Sequence, residues 1–172
     1  MSEPASAFEI GLAALATAGV DFVLVGVGGI NFYARDPAHS FATLDVDVLL
    51  APRVANLQLA LRTLSEREFR FESGGEPFLD IDDDSALAII IERAATLCAQ
   101  HPSSAQLDLM VAITGFSFAE LAADAIRFDV SGSEVPVGRL GKLLRSKQLA
   151  GRPKDLAFLQ SFEAQAEEDD AE

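Results

Sequence analysis

The sequence predicts an α/β (α+β) domain: a mixed β-sheet flanked by helices, with C-terminal helices packed alongside. Three observations predict it. Compact runs rich in β-branched residues recur at 22–27, 43–50 and 106–113. Segments with apolar residues at helical spacing alternate with these runs. Glycine, proline and aspartate gather at the boundaries between them. With 172 residues, 49% of them hydrophobic, the chain is sized for one domain with a sizeable core. That domain is expected over 1–166, with an acidic, disordered tail over 167–172.

In chain order, Phe8, Leu12 and Leu15 define a first helix that Gly19 ends. Residues 22–27 form a buried strand, and Gly28-Gly29 turns the chain into a short helical piece over 30–34. Asp36-Pro37 stops that piece, and a loop through His39 and Ser40 leads to the second strand at 43–50. Pro52 suits a first helical turn, followed by Val54, Leu57, Leu61 and Leu64 along one helix face. A strand at 69–71 precedes the Gly74-Gly75 loop. Residues 86–99 fit a helix better than a strand, with Ser85 as N-cap and His101-Pro102 as breaker. The strand at 106–113 follows, then a short helix at 116–123. Residues 126–130 and 134–137 flank Ser131-Gly132-Ser133 as a hairpin. Two helices split at Gly151–Pro153 finish the chain.

Charge and cysteine usage exclude several functions. A formal charge of −14 argues against bulk nucleic-acid binding through a basic surface. Seven of the thirteen Lys and Arg residues fall between Arg127 and Lys154, where they suit either a solvated helix face or a triphosphate. The single cysteine, Cys98, precludes an internal disulfide and reads as a core thiol. Met1-Ser2-Glu3-Pro4 lacks the basic start of a signal peptide, and no apolar run is long enough to span a bilayer. A cytoplasmic protein without a membrane partner is the expectation.

One spacing points to chemistry. Asp45 and Asp47 alternate with Val46 and Val48, so a strand there projects both carboxylates from one face. Such a pair is either a polar strand face or a divalent-cation site. Asp108 favours the second, because it interrupts the apolar strand Leu107-Asp108-Leu109-Met110-Val111, where a buried carboxylate needs a partner or a cation. If the two strands are neighbours, three carboxylates converge, as phosphoryl or nucleotidyl transfer requires. On a helical wheel, Leu140, Leu143 and Leu144 define an inward stripe opposite Arg139, Lys142 and Arg145. Lys147 falls on that stripe, either snorkelling at the core rim or pointing into a pocket. Asp155 falls in the first turn of the last helix.

Taken together, these residues resemble the minimal nucleotidyltransferase superfamily, most closely the branch of abortive-infection (AbiEii-like) toxins from toxin–antitoxin pairs. The likeness runs through Phe22-Val23-Leu24-Val25-Gly26-Val27-Gly28-Gly29, Thr43-Leu44-Asp45-Val46-Asp47, Leu107-Asp108-Leu109-Met110 and 147–156, from Asp21 to about Phe162. The resemblance implies a nucleotidyltransferase-like sheet and a nucleoside triphosphate (NTP) substrate. It implies Mg²⁺ (or Mn²⁺) held by Asp45, Asp47 and Asp108, the catalytic set, with Asp108 helping to deprotonate the acceptor hydroxyl. Gly28, Gly29, Lys147 and Asp155 are implied to bind nucleotide. The acceptor, whether protein, small molecule or tRNA, is not specified by the sequence; an antitoxin protein is an implied partner. The chain departs from the branch at Phe41, where many members carry an arginine, and Arg35 is a candidate replacement.

Other readings fit less well. Gly26-Val27-Gly28 with Asp45 suggests a dinucleotide fold, but Asn31 occupies the third glycine position and Asp36-Pro37 leaves too short a helix. The run 79–84 lacks the glycine and glutamate of a calcium loop and reads as a solvated acidic loop. Ser117 with His39 or His101 has no nucleophile context. The main alternative is a catalytically degenerate nucleotidyltransferase fold serving as a nucleotide-binding or regulatory partner.

Overall fold

The computed structural model describes residues 5–34, 40–41 and 45–171, of which 167–171 are described in backbone only. Arg35, Asp36-Pro37, His39, Thr43 and Leu44 lie outside the described residues. Among the described residues, eight strands form one mixed sheet, flanked by helices as predicted. The strands are β1 (Phe22–Val25), β2 (Asp45–Leu50), β3 (Arg70–Ser73), β4 (Glu76–Pro77), β5 (Leu97–Gln100), β6 (Gln106–Met110), β7 (Ile126–Val130) and β8 (Ser133–Val137). Their order across the sheet is β4-β3-β5-β6-β2-β1-β8-β7. The helices are α1 (Ala7–Thr17), α2 (Gly26–Ile30), α3 (Val54–Ser65), α4 (Asp84–Glu92), α5 (Phe118–Ala123), α6 (Leu140–Ala150) and α7 (Pro153–Ala171). The helical backbone of α7 therefore continues into the acidic segment beyond residue 166.

Local chemistry accounts for most boundaries. Ser6 caps α1 by accepting from the Glu9 amide. Ser117 and Glu120 form a reciprocal capping box at α5. Ser131 and Gly132, at φ of 50° and 85°, make a two-residue turn whose twist suits the β7–β8 hairpin. Gly151 ends α6 at φ 61°, in the left-handed region that glycine tolerates best.

Two expectations need correction. Residues 86–99 are not one helix: α4 starts at Asp84, with Asp83 rather than Ser85 as its cap, and ends at Glu92. Ala94 then takes φ 50°, and Leu97–Gln100 becomes a strand between β3 and β6. Leu97 and Ala99 are fully buried while Cys98 and Gln100 are not, a period-two pattern hidden in an apolar run. Gly28-Gly29 is not a turn either. β1 ends at Val25, and Gly26–Ile30 is the helix itself, followed by a 3₁₀ turn at Asn31–Tyr33.

The sheet has two unlike faces. Val48, Leu97, Ala99, Leu107 and Leu109 are buried in the core, and α1 sits close enough that a Cβ on Gly11 would lie 3.1 Å from Leu107. On α3, Leu57, Leu61 and Leu64 are buried, and α3 packs against both α1 and α4. Each such leucine contributes roughly 2–3 kcal/mol relative to exposure. The opposite face carries Asp45, Asp47, Gln106 and Asp108, all half-buried. Leu107→Ala is expected to lower unfolding free energy by about 3 kcal/mol in urea titrations, because it opens a void under Gly11. A loss below about 1 kcal/mol would contradict this packing.

Candidate active site

The three predicted carboxylates meet. β2 and β6 are parallel neighbours, with Asp47 opposite Asp108 and Asp45 opposite Gln106. One oxygen from each of Asp45, Asp47 and Asp108 lies within 4.8 Å of the others. At that distance and an effective dielectric near 20, each ionised pair repels by about 3 kcal/mol. Burial, then the charges of Asp45 and Asp108, push the Asp47 carboxyl up to about 6. Hard oxygen donors that repel one another are the donor set a small divalent cation fits.

Asp108 is held from two sides. Gln106 Nε2 donates to its Oδ1 at 2.8 Å. Cys98 lies opposite Asp108 on β5, with its thiol beside the carboxylate. Burial and that contact push the thiol up to about 11, so it stays protonated at neutral pH. Cys98 is thus a half-buried neighbour of the site rather than a core thiol.

The predicted lysine and aspartate of the C-terminal helices face the same place. A cavity of about 440 Å³ is lined by Gly26, Asp47, Ser146, Lys147, Arg152 and Asp155, among others. Lys147 points inward, its side chain 14% exposed, with Nζ 3.4 Å from Asp155 Oδ1 and 5.0 Å from the Phe158 ring centroid. Asp155, 1% exposed, also accepts from Arg152 Nε at 2.6 Å and Arg152 Nη2 at 3.2 Å. Burial pushes its carboxyl up, but the Arg152 hydrogen bond and the charges of Arg152 and Lys147 outweigh it and hold the group below its ordinary value. Lys147 and Lys154 also act on Asp47, favouring its ionised form.

The glycines divide their roles differently from expectation. Gly26, outside the expected nucleotide-binding pair Gly28 and Gly29, is the one beside the carboxylates: a Cβ there would lie 2.2 Å from Asp47 Oδ2, and its φ is 67°. Gly28 packs on Val46, where a Cβ would lie 3.3 Å from Cγ2, and Gly29 on Leu24 and Leu143. Both are buried and neither lines the cavity. The available signal was strand register: Val25 lies opposite Asp47, so the next residue passes the carboxylate. Arg152 was also missed as a site residue, although it stands three positions before Asp155.

Phe41 has a structural use. Its backbone exchanges two 2.8 Å hydrogen bonds with the Asn31 side chain. Its ring contacts Phe158 at 4.8 Å and Phe162 at 6.0 Å, anchoring α7 where Lys147 meets Phe158.

No protein-family model and no curated protein matches the sequence. Among solved structures, an antigenic nucleotidyltransferase-like protein from Paracoccidioides brasiliensis is similar in fold. Its TM-score is 0.53 at 16% identity, over 90% of this chain and 72% of that one. The chain therefore has a nucleotidyltransferase-like fold.

The raised Asp47 value fixes the sign of a pH effect in metal-free protein. The folded value, about 6, exceeds the ordinary 3.8, so folding disfavours the ionised group above pH 6 and imposes no penalty below pH 4. Asp47→Asn should therefore raise unfolding free energy by up to about 3 kcal/mol at pH 8 and leave it unchanged at pH 3.5. Urea titrations with chelator at both values check this; equal stabilities at pH 8 would refute the carboxylate repulsion.

Proposed function

We propose that this protein is a Mg²⁺-dependent nucleotidyltransferase that moves a nucleoside monophosphate from an NTP to a hydroxyl acceptor. The single observation that carries the reading is the register of Asp47 against Asp108, beside a cavity lined by Lys147 and Arg152. Asp45, Asp47 and Asp108 would hold Mg²⁺ or Mn²⁺, which supplies charge neutralisation at the phosphates. Lys147, Arg152 and Lys154 orient the triphosphate on the cavity side. Gly26 lets the backbone pass Asp47 without blocking that approach. Gly28 and Gly29 serve the nucleotide indirectly, by seating α2 close to β2 and β1. The acceptor hydroxyl attacks the α-phosphate, the α–β phosphoanhydride breaks, and pyrophosphate leaves. Asp108, oriented by Gln106, takes the hydroxyl proton. The sequence resemblance adds a toxin–antitoxin setting in the cytoplasm, with an antitoxin protein as partner.

A second reading, a catalytically degenerate nucleotidyltransferase fold acting as a regulatory partner, is favoured by one observation. Lys147 already neutralises Asp155 and stacks on Phe158, which leaves it less free for a ligand. Incubation with α-labelled NTPs and Mg²⁺, alone and with cell extract, separates the two. Label transfer is expected, and it should vanish in Asp45→Ala plus Asp47→Ala protein; persistence there would remove the metal site from the mechanism. Lys147→Ala should weaken NTP affinity about tenfold, equivalent to about 1.4 kcal/mol, with little change in melting temperature. A large fall in melting temperature at unchanged affinity would make Lys147 purely structural.

A further inference from the structure

We infer that the hydroxyl acceptor is a polypeptide lying in extended form across the outer half of the sheet, with an apolar side chain anchored at the β3 edge. The inference deepens the transfer reading above and rests on it. The cavity with Lys147 and Arg152 lies beside Asp47, between α6–α7 and the end of β6 at Met110, and Asp108 and Gln106 do not line it. An acceptor that gives its proton to Asp108 then comes from the open sheet outside that cavity. On that side the sheet continues as β5, β3 and β4. Gln106, Asp108, Cys98 and Glu72 are only half-buried, and Gln100 and Arg70 are exposed, so this face is open while Leu107, Ala99 and Phe71 beneath are buried. Registers align these residues in two rows from the carboxylates outward: Asp47, Asp108, Cys98, Glu72, and Asp45, Gln106, Gln100, Arg70.

The chemistry of the rows selects the occupant. Beyond the three aspartates they carry one cation, Arg70, and one anion, Glu72, so a polyanionic nucleic acid finds almost no counter-charge. Amide side chains that both donate and accept suit a peptide backbone. At the far end, a cavity of about 460 Å³ is lined by Arg70, Glu72, Phe69, Phe78 and Leu79, among others. Leu79 is 83% exposed, an apolar group left without cover among the described residues. Strand spacing near 4.8 Å puts this cavity about 15 Å from the carboxylates, a span of four or five extended residues. The chain's charge of −14 favours a peptide with basic flanks.

The test uses lysine-flanked alanine peptides carrying one serine and one leucine, the leucine moved one to eight places from the serine on either side. Each is incubated with α-labelled NTP and Mg²⁺ beside total tRNA and glycerol as competing acceptors. Equilibrium dialysis measures NTP binding separately. Labelling of serine should peak with leucine four or five places away, about tenfold above the peptide without leucine. In Leu79→Asp protein the leucine peptide should fall to the level of the leucine-free one. Labelling indifferent to leucine position, or directed to tRNA or glycerol instead, overturns the inference and leaves nucleotidyl transfer standing. NTP binding without transfer to any of these acceptors overturns both this inference and transfer. Absence of NTP binding overturns the nucleotide site as well.

Discussion

Mutual repulsion among Asp45, Asp47 and Asp108 is the constraint around which this molecule is arranged. The hydrophobic core imposes it. Leu107 and Leu109 must face inward, and strand periodicity then turns Asp108 outward between them. The same rule applied to Val48 turns Asp45 and Asp47 to that side. A one-residue slip of β2 would relieve the repulsion by moving both aspartates to the other face, but it would expose Val48 and bury two carboxylates. Apolar burial, worth several kcal/mol per strand, decides the register, and the carboxylates accept the outcome.

Relief comes from elements distant in sequence. Lys147 and Lys154 act on Asp47 from α6 and α7, across a break at Gly151. Asp155 controls how these cations are presented. Buried and held by both Arg152 and Lys147, it fixes two long side chains that would otherwise sample many rotamers. Cations at the start of α6 are engaged elsewhere: Lys142 and the preceding Arg139 both pair with Asp124. Two of the charges in the basic last third therefore belong to surface pairs, while Lys147, Arg152 and Lys154 bear on the site. This distinction separates a solvated helix face from a site within one run of residues.

Much of this was legible because the sequence signals were periodic. The alternation Asp45-Val46-Asp47-Val48, the interruption at Asp108 and the inward place of Lys147 each follow from a single repeat, and each holds in three dimensions. What escaped depended on pairing between segments. Residues 97–100 are apolar enough for either a helix or a buried strand, and only insertion between β3 and β6 decides. Three glycines within Gly26–Gly29 look alike in sequence, yet only Gly26 meets Asp47, because Val25 is its register partner. Local propensity carries no information about either choice. Asp83, not Ser85, capping α4 is a smaller miss of another kind, a competition between two good caps two residues apart.

Phe41 links the site to the fold in a way that charge alone would not. An arginine at this position would add a cation directly; the phenylalanine instead packs on Phe158 and Phe162 and steadies α7. Phe158 in turn lies under Lys147 Nζ. The segment leading into β2 and the helix carrying Asp155 are thus joined by one aromatic cluster, with the Asn31 side chain clasping the Phe41 backbone. Because β2 carries Asp45 and Asp47, a shift of α7 relative to β2 changes carboxylates and cations together. The cluster thereby fixes the geometry of the cations beside the carboxylates. An ion pair weakens as its partners move apart, so such fixing preserves attraction that freely rotating lysine and arginine side chains would partly dissipate in solvent.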